Sequence, residues 1–248
     1  MKSIILAAAA ILALSGAAQA QDTVRIATEG AYAPWNFLDD AGKPAGYEID
    51  LANAICAQAK ITCEIITNEW DSIIPNLVAG NYDVIMAGMS VTDERKQTVD
   101  FAAEYKPADP SRYVALPGAG VDFAALKGKR IGAQGGTIQE AYAQTTFAAD
   151  NTIVAFGTAD QAMADLAGGN LDIILADGAY LEPIVATGQV EFVGEPVIIG
   201  GGVAPALRKD EPELLKTFND AIAALKADGT VDTLIAKWFD GAGPFYKN

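Results

Sequence analysis

Short β-branched runs alternate along this chain with stretches whose apolar residues recur at helical spacing. Val24–Thr28 (VRIAT), Cys63–Thr67 (CEIIT) and 82–86 (YDVIM) read as strands. Between them, 47–58 places Ile49, Ala52, Ile55 and Cys56 on one helix face, and Trp70–Val78 reads as a second helix stopped by Gly80 and Asn81. This βαβαβ order predicts a parallel sheet covered by helices. The pattern then restarts. A strand over 129–133 leads into Gly135-Gly136-Thr137 and a helix from about Ile138, followed by a strand at Thr152–Phe156. A helix over 158–167, capped by Thr158 and stopped by Gly168-Gly169, precedes a strand at 171–176 (LDIILA). Leucines and aromatics over 211–239 fit core-facing helices, interrupted at Asp228-Gly229.

Two such units imply two lobes. The proline-bearing segment 106–112 (KPADPSR) suits one crossing between them, and glycines 200–202 suit a second. The expected division is one lobe from 21–107 and 203–248, and another from 108–202, joined by a two-segment hinge. Open α/β sheets bind ligands beyond the carboxyl ends of their strands. Glu29, Trp70, Gly88, Ser90, Thr137 and Asp177 stand at such places.

The N-terminus changes the setting. Residues 1–20 combine Lys2, an apolar stretch over 4–14 and Ala18-Gln19-Ala20, the pattern of a cleaved secretory signal. Export follows as an expectation, with a mature chain from Gln21. Lys2 is the only charged residue in the signal, so 16 basic and 32 acidic residues remain, a net charge of −16. Such a surface disfavours nucleic acid and anionic lipid as partners and gives a weak bias towards cationic small molecules. Cys56 and Cys63 are the two cysteines; in an exported chain they are expected to form a disulfide, the alternative being two buried thiols. The chain has no histidine, which removes Ser-His-Asp and Cys-His nucleophiles and histidine metal sites. No metal and no cofactor is expected.

The strings TEGAYAPWNF (28–37), GYEIDLANAIC (46–56), WDSIIPNLVAGNYDVIMAGMSVTDER (70–95), IGAQGGTIQEAY (131–142), ADLAGGNLDIILAD (164–177) and the segment 207–239 carry a resemblance. The chain resembles the periplasmic solute-binding proteins of polar amino-acid ABC importers, in the lysine/arginine/ornithine- and histidine-binding group. The resemblance implies a type II periplasmic-binding-protein fold, α/β and two-lobed, in a monomer. It implies a periplasmic protein that closes its hinge on a basic L-amino acid and delivers it to an inner-membrane ABC permease, without being an enzyme.

It also implies roles for particular residues. Arg95 would clamp the ligand carboxylate with its forked donors, and Asp177 would take the ammonium from the opposite lobe. Ser90 offers a hydroxyl and an N–H, and Thr137 and Ile138 offer N–H groups at a helix start. Tyr32 and Trp70 would sandwich the ligand side chain. Glu29, with Gln139 beside it, would receive the distal charge. Gly88 and Ile138 depart from the family's usual hydroxyl residues.

Other readings of these residues stay open in the sequence. Arg95 could pair with Asp93 or Glu94 on a helix whose first turn is 92–94, with Ser90 as its N-cap. Asp177 could be a turn acid, Thr137 only a cap, Glu29 a solvated loop acid and Trp70 core. Other functions stay open too: opine-binding relatives share the ATEGAYAPWNF-like opening, cyclohexadienyl dehydratases resemble the fold, and a receptor input role would need a separate partner.

Overall fold

The computed structural model describes residues 23–246. The signal-peptide reading of 1–20 lies outside these residues. The first lobe opens with β1 (Val24–Thr28), β2 (Ala31–Tyr32), β3 (Asn36–Leu38) and β4 (Pro44–Ala45). It continues with α1 (Tyr47–Ala59), β5 (Cys63–Thr67), α2 (Trp70–Val78), β6 (Val84–Ile85), a short 3-10 turn at Arg95–Gln97 and β7 (Asp100–Phe101). The second lobe holds β8 (Ser111–Ala115), β9 (Arg130–Gln134), α3 (Ile138–Phe147), β10 (Thr152–Phe156), α4 (Ala159–Ala167), β11 (Ile173–Asp177), α5 (Gly178–Ala186) and β12 (Glu191–Val197). The chain then returns through β13 (Ala206–Leu207) to α6 (Pro212–Ala227) and α7 (Thr230–Trp238). Among the described residues, no helix is long and apolar enough to cross a membrane.

The sheets correct the expectation of purely parallel strands. In the first, ordered β5-β1-β6-β13-β7, the expected trio is parallel but β13 runs antiparallel to β6 and β7. In the second, ordered β10-β9-β11-β8-β12, β8 runs antiparallel to β11 and β12. The reason is topological. A strand that enters a lobe from the hinge starts at the carboxyl ends of the parallel strands, so it must run the other way. Ser111, the first residue of β8, accordingly lies opposite Asp177, the last of β11. Residues 111 and 112, read as linker, therefore open a strand. The strand read at 82–86 shrinks to Val84–Ile85, although the N–H groups of Asp83 and Met86 still reach β1 carbonyls at 2.9 Å.

The two crossings touch each other. Val203 forms antiparallel bridges with both Ser90 and Lys106. Gly202 is therefore more than a flexible point: a Cβ there would lie 2.7 Å from the Lys106 carbonyl oxygen and 2.4 Å from Glu104 Oε2. Only glycine lets the segments approach this closely.

Helices cover both faces of each sheet. Leu51 and Ile55 of α1 meet Phe218 and Ile222 of α6 and Ile235 of α7 on one side of the first sheet. Ile73 and Leu77 of α2 fill the other with Tyr82, Ile85 and Met89. In the second lobe, Leu166 and Leu181 lie on one face, and Tyr113, Ile131 and Ala143 on the other.

The Cys56–Cys63 disulfide is formed and ties the end of α1 to the start of β5. A loop this short contributes about 2 kcal/mol through the unfolded chain. Replacing both cysteines by serine should lower Tm by about 5 °C, measured by calorimetry, with ligand affinity unchanged because the bridge lies away from the cleft.

Candidate functional site

The carboxyl ends of β1, β6, β9 and β11 converge on one cleft between the lobes. All ten residues singled out in the sequence line it: Glu29, Tyr32, Trp70, Gly88, Ser90, Arg95, Thr137, Ile138, Gln139 and Asp177. Trp35, Ala87 and Gln134 line it as well.

Arg95 follows a tight turn rather than the first turn of an α-helix. Thr92 Oγ1 accepts the Arg95 N–H at 3.1 Å, and only Arg95–Gln97 is helical, as a single 3-10 turn. Ser90 bridges to Val203 and caps nothing. Asp93 turns outward to Lys96 at 3.5 Å. Among the described residues Arg95 makes no ion pair, which overturns its pairing with Asp93 or Glu94. Its guanidinium instead donates to the Ser90 carbonyl at 2.9 Å and, across the cleft, to the Gly136 carbonyl at 3.2 Å. The Trp70 ring faces it, with the centroid 5.3 Å from Cζ. Burial lowers the Arg95 pKa to about 10 against the pull of Glu94, so the group remains a cation at neutral pH.

Asp177 ends β11 and caps α5. Its Oδ1 accepts from the N–H groups of Ala179 at 3.0 Å and Tyr180 at 3.4 Å, and from Trp35 Nε1 of the first lobe at 3.2 Å. The turn-acid reading and a cleft position thus hold together. Burial, reinforced by the charge of Asp109, raises its pKa to about 6 although Trp35 and Lys106 oppose the shift.

Glu29 is partly buried, not a solvated loop acid. It accepts from Gln134 Nε2 across the cleft at 2.6 Å. Burial raises its pKa to about 7; the Gln134 hydrogen bond opposes this, and Asp160 and Asp71 add to it.

The aromatic pair is more occupied than the sequence suggested. Tyr32 stacks on Tyr180 at 4.5 Å and 15°, and its hydroxyl accepts the Asp177 N–H at 3.2 Å. Trp70 is the first residue of α2 and buried, with Arg95 on its face. Both rings still present surface to the cleft. Thr137 caps α3, accepting from the Glu140 N–H at 3.1 Å while its hydroxyl donates to the Gln134 carbonyl at 2.6 Å. Ile138 begins α3, and the buried Gln139 donates to Ser111 Oγ at 3.0 Å.

Gly88 holds φ +63°, and a Cβ there would meet only the Trp35 ring, at 3.9 Å. Space does not demand glycine; the left-handed backbone favours it.

Trp35 and Gln134 escaped the sequence reading. Both lie beside residues that were chosen, but their work is to reach across to the other lobe. The only signals were the tryptophan within APWNF and a glutamine at a strand end.

The chain from residue 24 to 241 matches the model of the bacterial extracellular solute-binding proteins, family 3. The chain belongs to this family. It is 36% identical over 257 residues to the lysine/arginine/ornithine-binding periplasmic protein of Escherichia coli K12, covering 97% of this chain and 98% of that protein. It is 36% identical over 289 residues to the octopine-binding periplasmic protein of Rhizobium meliloti, covering 96% and 97%. Among solved structures, it superposes with a TM-score of 0.83 on a periplasmic His/Glu/Gln/Arg/opine family-binding protein from Silicibacter pomeroyi in complex with lysine. That chain is 47% identical, and the match covers 90% of this chain and all of that one. These relatives are periplasmic binding proteins, and the family is one of extracellular solute-binding proteins. The fold expected from the sequence is the fold of these neighbours.

Proposed function

We propose that this protein captures a basic L-amino acid between its lobes and delivers it to an inner-membrane ABC permease. The observation that carries the reading is the charge pattern of one cleft: a part-buried guanidinium without an ion-pair partner among the described residues, and two carboxylates whose burial resists ionisation. A zwitterion with a cationic side chain complements all three. Arg95 takes the α-carboxylate, aided by Ser90 and by the N–H groups of Thr137 and Ile138 at the start of α3. Asp177 and the backbone near Gly88 take the ammonium. Glu29, with Gln139 nearby, takes the distal cation, and Tyr32 and Trp70 flank the aliphatic stem. Contacts from both lobes then hold the hinge closed.

The lobes in this reading are 21–107 with 203–248, and 108–202. The signal is cleaved after Ala20, and the mature protein acts as a monomer with no affinity for nucleic acid. It is not an enzyme. A dehydratase acting on dicarboxylates needs further cationic anchors, and Arg95 is the one cation among the cleft-lining residues. The same count favours a basic amino acid over an opine, whose second carboxylate would need a partner.

A thermal-shift screen with arginine, lysine, ornithine, histidine, octopine and prephenate tests this. A ligand at a thousand times its Kd stabilises by about 4 kcal/mol, so Tm should rise by about 10 °C for at least one basic amino acid. Response to prephenate alone, with formation of an aromatic product, would replace binding by catalysis.

A further inference from the structure

Glu48 is a carboxylate at 0% exposure in the first turn of α1. A buried acid is costly unless donors surround it. Three groups supply them. The Gly88 N–H lies 2.7 Å from Oε1 and 2.8 Å from Oε2. Asn36 Nδ2 donates to Oε2 at 2.8 Å, and the Tyr105 hydroxyl donates to Oε1. Asn36 passes the link onward, its Oδ1 accepting the Gly30 N–H at 2.7 Å.

Each donor leads to a different part of the cleft wall. Gly88 is the left-handed turn beneath the cleft. Gly30 follows Glu29. Tyr105 precedes Lys106, whose backbone bridges to Val203 in the second crossing. Glu48 itself does not line the cleft. We propose that Glu48 is a positioning residue for the ligand site: its carboxylate pins the Gly88 turn and, through Asn36, the Glu29–Gly30 loop in the geometry that receives the ligand.

The chemistry separates charge from shape. Every hydrogen bond that Glu48 itself makes here is donated to it, and both of its oxygens serve as acceptors. Glutamine has the same size but offers one acceptor oxygen and an NH2 group. Whichever oxygen it replaces, that NH2 would face the Gly88 N–H, which lies within 2.8 Å of both, so the turn would keep one acceptor and gain an opposed donor. Aspartate is shorter by one methylene but keeps two acceptor oxygens.

The test rests on the amino-acid reading and compares wild type, Glu48→Gln and Glu48→Asp. Arginine affinity is measured by calorimetry, folding by thermal melt, and the Gly88 amide proton by NMR. In Glu48→Gln the Gly88 amide proton should move upfield and arginine affinity should fall at least 30-fold in a folded protein. Glu48→Asp should stay closer to wild type on both readouts. The proposal is overturned if Glu48→Gln binds arginine within threefold of wild type, or if Glu48→Gln outperforms Glu48→Asp, as packing alone would require. Should Glu48→Gln not fold, Glu48→Asp decides: retained Gly88 anchoring with retained binding supports the proposal, and retained anchoring with lost binding overturns it. Wild type that binds no basic amino acid would sink the functional reading instead. The Gly88 resonance would still judge the anchoring, since an unmoved signal in Glu48→Gln overturns it.

Discussion

Arg95→Ala should raise the dissociation constant for arginine by about 10³-fold, because removing one partner of a desolvated ion pair costs about 4 kcal/mol. The unliganded fold should hardly notice. Arg95 has two hydrogen bonds to carbonyls and one aromatic face as its local partners, and its burial already works against the charge. Loss of those contacts and relief of that burial oppose each other, so Tm should move by no more than about 3 °C. Calorimetric titration beside a thermal melt separates the two effects. Binding that survives the substitution would show that the carboxylate is held elsewhere.

Glu29→Gln should weaken arginine binding by about 30- to 100-fold, a loss of about 2–3 kcal/mol for a charge-assisted contact. A neutral amino acid should change by less than about threefold. The pH dependence sharpens this. Burial moves Glu29 from its ordinary 4.5 to about 7 in the closed cleft. A carboxyl with a raised pKa favours closure while it keeps its proton. That contribution is complete below about pH 4.5 and is lost as pH rises through about 7. A ligand without a side-chain cation leaves the ionised group unpaired, so its affinity should fall with rising pH across this window, by up to about tenfold per unit. Arginine pairs the carboxylate and should hold its affinity. Asp177, raised to about 6, is proposed to meet the α-ammonium of either ligand and so should not separate them.

Local chemistry made much of the fold legible. β1, β5, α2 and β10 fall where β-branched runs, a leading tryptophan and glycine stops put them. Thr158 caps α4 as its position before the helix suggested, accepting from the Gln161 N–H at 3.2 Å. The reversed strands β8 and β13 were not legible, because their direction follows from where the hinge delivers the chain, a property of the whole topology. The site divides in the same way. Most cleft residues at or just after strand ends were found because strand ends define the cleft; Gln134, the last residue of β9, is the exception. Trp35 and Gln134 were missed because their partners, Asp177 and Glu29, are more than a hundred positions away. Glu48 is a first-turn acid of α1 that no motif singled out, and only its burial against Gly88 points to another role. The acids Asp93 and Glu94 offered Arg95 an alternative partner by proximity alone: neighbours in sequence, they leave its guanidinium to face the cleft.

In the proposed function, one cleft selects a zwitterion by its side-chain cation. Arginine and citrulline have nearly the same shape and differ in that charge. Titrating both into the wild-type protein at pH 7.5 is the most direct test. Arginine should bind with micromolar or tighter affinity, and citrulline at least about 30-fold more weakly, the worth of one charged contact. Equal affinities, or binding of neither, would contradict the account.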